Sequence, residues 1–450
     1  MIVRTYIALL TAMLLALTVQ SETIRGTILG EDRSGREFEN LKGSLGNQIG
    51  ERHLKKKKKD KSSRVIVNYK TDRGKKLALD LASNVYYDFS NDNTVVVELN
   101  AQSKKSLKDL HADVHAVDED TPMAAQYIFE GYYDGNSSSR RLTQTTPYGV
   151  TMVQADQLLV RPKVSKRPTV CLVDTGVLYT HPDLPQSLMT GSNRFSTTFN
   201  TELYWQLGVD GHGTCLAGII SANMTNNIGV RGVGNIPLYI TRGMNDQGMC
   251  MQSDILDALS ECQAQGAKVI SLSFGGGGIS TTFQQVLDNL YDNLGVLIFA
   301  SSGNDGTASV MYPAAYDKVV AVGAVNETGE HWHASNWGPS LELMAPGDRV
   351  WCTGINNGQA TYSLYSGTSM AAPYAAGVAA LVWSHFPHCT NSQIRYALAY
   401  TAKDINTPGC DQLTGNGIVQ AKAAYDFLKS NPCRTASWGR SLPTDGCSVV

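Results

Sequence analysis

The chain has 450 residues, 42% of them hydrophobic and 17% charged, which suits a globular protein with one large core or two smaller ones. Its 38 basic and 40 acidic side chains leave a formal net charge of −2, so the composition gives no reason to expect nucleic acid as a partner. Nine cysteines fall between Cys171 and Cys447 and none precedes them; in an oxidising compartment several would pair, and an odd count leaves at least one free or paired between chains.

The first residues place Arg4 before an apolar run from about Tyr6 to Val19, with Val19 and Ser21 as the small residues of a cleavage site. This predicts a secretory signal peptide over 1–21; a retained anchor is the weaker alternative, because the run is too short to span a bilayer comfortably. No other stretch is long and apolar enough to cross a membrane, so a secreted protein, or one of a secretory compartment, with no membrane span is expected. Residues 22–63 are polar and include Lys55 to Lys59 in a row, the pattern of a solvated, disordered segment.

From Arg64 to Asp120 the pattern tightens. "RVIVNYK", "VYYDFS", "TVVVELN" and "ADVHAVDED" read as strands, and "RGKKLALDLAS" and "SKKSLKDLH" as short amphipathic helices, with Asn91-Asp92-Asn93 as a turn. The alternation predicts a small α+β, ferredoxin-like domain over 64–120. Residues 121–141 read as a linker carrying an Asn136 sequon and the dibasic pair Arg140-Arg141, the kind of exposed polar stretch that proteases cut.

Between 142 and 430 short, nearly continuous apolar strands ("PTVCLVD", "IPLYITR", "AKVISLSF", "GVLIFASS", "VVAVGAV") alternate with helical stretches. Such strands suit a parallel sheet with helices on both faces, an α/β three-layer sandwich whose site lies at the carboxyl ends of the strands. The tail, 431–450, is too short for a domain, and Cys433 with Cys447 would staple it.

Four segments carry chemistry. Asp174 ends a buried strand in "VCLVDTGV"; alone it could merely cap a turn. His212 stands between two glycines at a helix start in "DGHGTCLAG", and alone could be a surface histidine. Asn304 ends a strand in "FASSGNDG", its amide free to donate to a developing oxyanion. Ser369 in "YSGTSMAAP" stands at a helix N-terminus, where free N–H groups favour negative charge. Each signal alone is moderate; together, in the order Asp, His, Asn, Ser, the four are hard to explain as unrelated turn and cap residues.

"DTGV", "DGHGTCLAG", "ISLSFGG", "ASSGNDG" and "SGTSMAAP" resemble the subtilisin family of serine proteases, over about Thr143 to Leu428, and 64–120 resembles the inhibitory propeptide such enzymes carry. The resemblance implies a serine endopeptidase made as a zymogen, with Asp174, His212 and Ser369 as the triad and Asn304 with the Ser369 N–H as the oxyanion hole. It implies a substrate strand along Ser273, Phe274 and Gly275, and a primary pocket reached by Met311, where many relatives have Gly, favouring small or medium, non-basic side chains. It implies a structural calcium held by Gln144, Asp183 and Asn227, and no catalytic metal. Protein or peptide substrates and the chain's own propeptide, as intramolecular inhibitor, are the implied partners of a monomer. Cleavage after Arg141 would start the mature chain at Leu142; a non-basic pocket would place self-cleavage elsewhere. Asn136, Asn223 and Asn326 are glycosylation sequons. Cys215 stands where many relatives have His, and a buried inert thiol is expected there. Oxidation of Met370, next to the nucleophile, is expected to depress activity.

Two other readings compete. A proprotein convertase would carry acidic residues around the pocket and a large β-rich domain after the catalytic one, whereas only some 20 residues follow Leu428. A catalytically inactive relative acting as a binding protein would be expected to lack one of the four residues, and all four are present.

Overall fold

The structure, a computed structural model, describes residues 62–132, 144–158, 167–276 and 278–433, apart from 197, 199 and 200. The expected signal peptide, most of the lysine-rich segment, Asn136, Arg140-Arg141 and Cys447 lie outside the described residues. Among the described residues no helix is long and apolar enough to cross a membrane.

The chain opens with β1 (Ser63–Tyr69), α1 (Asp72–Leu81), β2 (Asn84–Phe89), β3 (Thr94–Leu99), α2 (Ala101–Lys108) and β4 (Val114–Glu119). The strands form an antiparallel sheet in the order β2-β3-β1-β4, the ferredoxin-like arrangement. Thr71 and Asn100 cap the two helices by accepting from Gly74 N at 3.2 Å and Ser103 N at 2.8 Å. Strand periodicity divides the work of the sheet: Val65, Val67, Val95 and Val97 pack beneath the domain's own helices, while Ile66 and Val96 on the opposite face join the core of the larger domain. Both faces are thus covered, which is why "VIV" and "VVV" run apolar without alternation.

Two short strands follow, β5 (Pro122–Ala125) and β6 (Ile128–Tyr132), where the sequence suggested linker. After them come α3 (Tyr148–Met152), β7 (Val170–Asp174), β8 (Met189–Ser192), β9 (Arg194–Ser196), β10 (Thr201–Leu203), α4 (His212–Ser221) and β11 (Leu238–Arg242). The chain continues through β12 (Met249–Met251), α5 (Gln252–Ala264), β13 (Val269–Leu272), β14 (Phe274–Gly276), α6 (Thr281–Asp292), β15 (Leu297–Ser301), β16 (Val319–Val325) and β17 (Leu341–Pro346). It ends with the antiparallel pair β18 (Val350–Asn356) and β19 (Gln359–Ser366), then α7 (Thr368–His385), α8 (Asn391–Tyr400) and α9 (Ala421–Ser430).

The central sheet has seven parallel strands in the order β17-β16-β15-β13-β7-β11-β8. Val170 and Leu172 of β7 face one core with α4, α7, α8 and α9, while Cys171 and Val173 face the other with α5 and α6. This is the expected three-layer α/β sandwich.

The small domain docks through charge as well as apolar area. Asp118 accepts from Thr282 N at 2.8 Å and Ser280 Oγ at 3.0 Å at the start of α6. Asp120 accepts from Ser253 N at 3.0 Å and Ser253 Oγ at 2.7 Å at the start of α5, and pairs with Arg64 at 2.7 Å. Two carboxylates thus satisfy free N–H groups at two neighbouring helix N-termini, where the backbone dipoles favour them.

Cysteine pairing departs from expectation. Cys215 is no inert thiol: it bonds Cys352 and ties α4 to β18. Cys433 pairs with Cys389, not Cys447, and Cys171 pairs with Cys262. Cys410 is also disulfide-bonded, and Cys250 is free and buried, its thiol pushed up by burial. Because the Cys215–Cys352 bridge closes a span of 137 residues, replacing both cysteines by Ala should cost about 2–5 kcal/mol, read as a fall in Tm on calorimetry, while an unchanged Tm would show the bridge to be energetically silent.

Candidate active site

Asp174 is the last residue of β7 and wholly buried. His212 opens α4, also fully buried, and its Nδ1–H donates to Asp174 Oδ1 at 2.8 Å. A carboxylate can only accept in such a pair, so the neutral ring carries its proton on Nδ1 and presents Nε2 as a base. The flanking glycines have separate reasons. Gly211 turns the chain at φ +84°, and at Gly213 a Cβ would sit 2.2 Å from Gly176 O and 3.0 Å from Asp174 Oδ1.

Ser369 lies in the first turn of α7, and Pro373 lies four residues on, so the Ser369 carbonyl has no helical N–H to receive. Ser273 Oγ donates to that carbonyl at 2.8 Å instead, and Ser369 Oγ lies 3.0 Å from Ser273 O. Asn304 is oriented by Thr368, whose N and Oγ1 both donate to Asn304 Oδ1, at 2.9 and 2.8 Å; this leaves Asn304 Nδ2 facing outward to donate.

The partner of these donors is the chain itself. β5 lies between β12 and β14, antiparallel to both, with Ala124 opposite Met249 and Gly275. Ala125 N donates to Gly248 O at 2.8 Å. The next carbonyl, Gln126 O, accepts from Asn304 Nδ2 at 2.7 Å and from Ser369 Oγ at 2.6 Å. The Gln126 side chain reaches Met311 Sδ through Nε2 at 3.0 Å and accepts from Asn304 N at 3.2 Å. The arrangement places a peptide carbonyl between a serine hydroxyl and an amide donor, a geometry that suits acyl transfer. His212 Nε2 has no hydrogen-bond partner among the described residues, and the Ser369 hydroxyl turns toward carbonyls rather than toward it.

Similarity to known proteins agrees with this geometry. Residues 165–417 match the subtilase family. Subtilisin DY of Bacillus licheniformis is 35% identical over 287 residues, covering 62% of this chain and 99% of its own length. Subtilisin E of Bacillus subtilis strain 168 is 33% identical over 298 residues, covering 65% and 74%. The crystal structure of the psychrophilic subtilisin-like protease Apa1 from Pseudoalteromonas sp. AS-11 superposes with a TM-score of 0.57 at 25% identity, covering 64% of this chain and 99% of that one. The chain belongs to the subtilase family. It is a serine endopeptidase, and proteins are its substrates.

The subtilase chain brings Asp174, His212, Asn304, Ser273, Phe274, Gly275, Met311 and Ser369 together in one cleft. Gln144 and Asp183 meet elsewhere. Asp183 is buried, its Oδ1 accepting from Asn226 Nδ2 at 2.7 Å and its Oδ2 from Val230 N at 2.8 Å. Gln144 Nε2 is ringed by oxygens: Asn223 O, Asn226 Oδ1 at 3.3 Å and Val230 O at 3.5 Å. Asn226, not Asn227, is the side chain that reaches Asp183; Asn227 is exposed at a left-handed φ of 59°. Burial pushes the Asp183 carboxyl up to about 6. Among the described residues no group of three or more His, Cys, Asp or Glu side chains could hold a metal.

Several site residues escaped the sequence reading. The second cleft edge, β12, carried no motif. Asp210, only two residues before His212, accepts from His212 N at 3.1 Å and from Thr175 Oγ1 at 2.6 Å. Thr368 was legible only as a helix-start residue. For His212, burial pushes the imidazole down, but the charge and hydrogen bond of Asp174 and the charge of Asp210 outweigh it, so the net shift is upward from 6.5. A base must be neutral to act, so activity is lost as pH falls through the His212 value, which lies above 6.5. Removing the Asp210 charge lowers that value. Asp210→Asn should therefore move the acid limb of kcat/KM to lower pH, and an acid limb that stays put or moves upward in the pH–rate profile would contradict this account.

Proposed function

We propose that the chain is the zymogen of a secreted, broadly acting serine endopeptidase, with Asp174, His212 and Ser369 as its triad and Asn304 as oxyanion donor. The observation that carries this reading is the Gln126 carbonyl oxygen held by Asn304 Nδ2 and Ser369 Oγ. In the proposed cycle the Ser369 hydroxyl turns its proton to His212 Nε2 and attacks the carbonyl carbon. Asp174 holds the tautomer and stabilises the imidazolium, and Asn304 donates to the oxygen as it becomes negative. The imidazolium then protonates the leaving amine, and water repeats the sequence on the acyl-enzyme.

The small domain over 64–120 acts as an inhibitory propeptide. Its sheet and its two helix-capping carboxylates, Asp118 and Asp120, anchor β5 in the cleft where a substrate strand would lie. Met311, in contact with a glutamine side chain and offering no charge, favours medium, uncharged residues before the cut bond. The leader, the disulfides and half-buried sequons at Asn223 and Asn326 fit a secreted monomeric glycoprotein.

Gln144, Asp183 and Asn226, with the carbonyls of Asn223 and Val230, would hold a structural calcium. The fit rests on a buried carboxylate bonded only to neutral groups and an amide nitrogen enclosed by oxygens. Calcium there would supply charge balance and lock the loop before β11 against the residues after 143.

Two measurements test these readings. Ser369→Ala should abolish casein digestion and fluorophosphonate labelling, and Asn304→Ala should cost about 10²–10³ in kcat, the magnitude associated with such a donor in subtilisin. Full activity in either variant would overturn the catalytic assignment. Chelation by EDTA should lower Tm, with calcium restoring it in the wild type and not in Asp183→Asn. Equal recovery in both would remove Asp183 from the site.

A further inference from the structure

The cleft is filled on both sides of one peptide bond. On the acyl side, Pro122–Ala125 pair as β5 with β12 and β14, and the Gln126 side chain occupies the pocket beside Met311. On the leaving-group side, Ile128–Tyr132 pair as β6 with β19, with Ile128 opposite Ser366 and Phe129 opposite Tyr365. Glu130 of that strand accepts from Ser366 Oγ and pairs with Arg349 at 2.8 Å. Between the two strands the Tyr127 ring stacks on His212, centroids 4.4 Å apart and planes 21° from parallel, and its hydroxyl reaches Asp210 Oδ2 at 3.4 Å. Tyr365 meets the same ring edge-on at 5.5 Å.

We propose that the enzyme cuts its own chain between Gln126 and Tyr127, and that Met311 and the Tyr127 stack on His212 select this bond. The proposal rests on the catalytic reading above and adds to it which bond is cut and what selects it. A docked inhibitor that merely blocked the cleft would need only the acyl-side strand. Here the chain is paired to the enzyme before and after one carbonyl, and that carbonyl is the one both donors hold. No backbone carbonyl other than Gln126 O receives Asn304 Nδ2 among the bonds described. The dibasic pair lies 14 residues further on and is not needed for this cut.

The step balances with one water. Ser369 Oγ bonds to the Gln126 carbonyl carbon while its proton passes to His212. The bond from that carbon to the Tyr127 nitrogen breaks, and the nitrogen takes the proton from His212, beside which its own ring is stacked. Water, deprotonated by His212, then releases Gln126 as a free carboxylate and restores Ser369. The products are a fragment ending at Gln126 and a protease beginning at Tyr127. The pocket contacts explain the choice of residue: the glutamine amide places one donor on Met311 Sδ and one acceptor on Asn304 N, and no carboxylate is bonded there to receive a lysine or arginine.

The test uses the full chain. Wild type, Ser369→Ala and Tyr127→Pro are produced in parallel and sampled from the earliest times for intact mass, N-terminal sequence and casein digestion. The expected result is a fragment ending at Gln126 from wild type and none from Ser369→Ala, with Tyr127→Pro slowing its appearance at least about tenfold, because a proline nitrogen gives a poor leaving group and the stack is lost. Because Tyr127→Pro could disturb folding, the heptapeptide Met-Ala-Ala-Gln-Tyr-Ile-Phe, residues 123–129, is also given to active wild type, and cleavage after its glutamine is expected. A wild type that digests casein but yields no Gln126 terminus, or cuts the peptide elsewhere, overturns this proposal and leaves the protease reading intact. Release of the Gln126 fragment from Ser369→Ala also overturns it, since another protease would then be responsible. A wild type that neither cuts itself nor digests casein sinks both.

Discussion

The buried bond between Asp174 and His212 constrains the rest of the cleft. A fully buried carboxylate is costly unless its charge is met by donors, and here the imidazole Nδ1–H meets it at Oδ1. To bring the imidazole that close, α4 must start almost in contact with the loop after β7, and only glycine at 213 leaves room for the Gly176 carbonyl. The disulfide from Cys215 to Cys352 then ties the same turn of α4 to β18, next to the strand that continues into α7 and Ser369. His212 and Ser369 thus sit on two helix starts held by one covalent link and one parallel sheet.

Parallel strands put all their carboxyl ends on one side, and the site collects there: Asp174 after β7, Ser273 after β13, Asn304 after β15. Ser273 has a structural part as well as a substrate-facing one. By donating to the carbonyl that Pro373 deprives of a helical partner, it fixes the backbone of Ser369 from the neighbouring strand end. Thr368 does the same for the Asn304 amide. Positioning in this cleft is thus carried mainly by hydroxyls next to the reacting residues.

The small N-terminal domain and the protease share a core rather than a mere contact. Ile66, Val96 and Met123 lie in the same cluster as α5 and α6, and Asp118 and Asp120 close the N-termini of those two helices. Removing the domain would expose apolar area and free the Ser253 and Thr282 N–H groups at the two helix starts to water. Two-sided burial of its sheet also explains why its strands read as uninterrupted valine and isoleucine.

Ser273 and Met311 came only from the family resemblance, but the sequence alone pointed to the fold class, the ferredoxin-like order of the small domain and the residues Asp174, His212, Asn304 and Ser369. These are legible because a buried parallel strand demands a continuous apolar run, and a sharp strand–helix turn around a reactive side chain demands glycine. Tertiary structure decided what depends on distance between remote positions. The pairing of Cys215 with Cys352 and of Cys389 with Cys433 is set by how layers pack, which spacing does not encode. Asn226 rather than Asn227 reaches Asp183, and Asn227 takes a left-handed backbone with its side chain exposed. β5 and β6 carry no strong strand pattern of their own, since most of their pairing is backbone to backbone with edges far along the chain. Only the folded chain shows that the segment after Asp120, which reads as a linker, runs through the active site with the Gln126 carbonyl against Ser369.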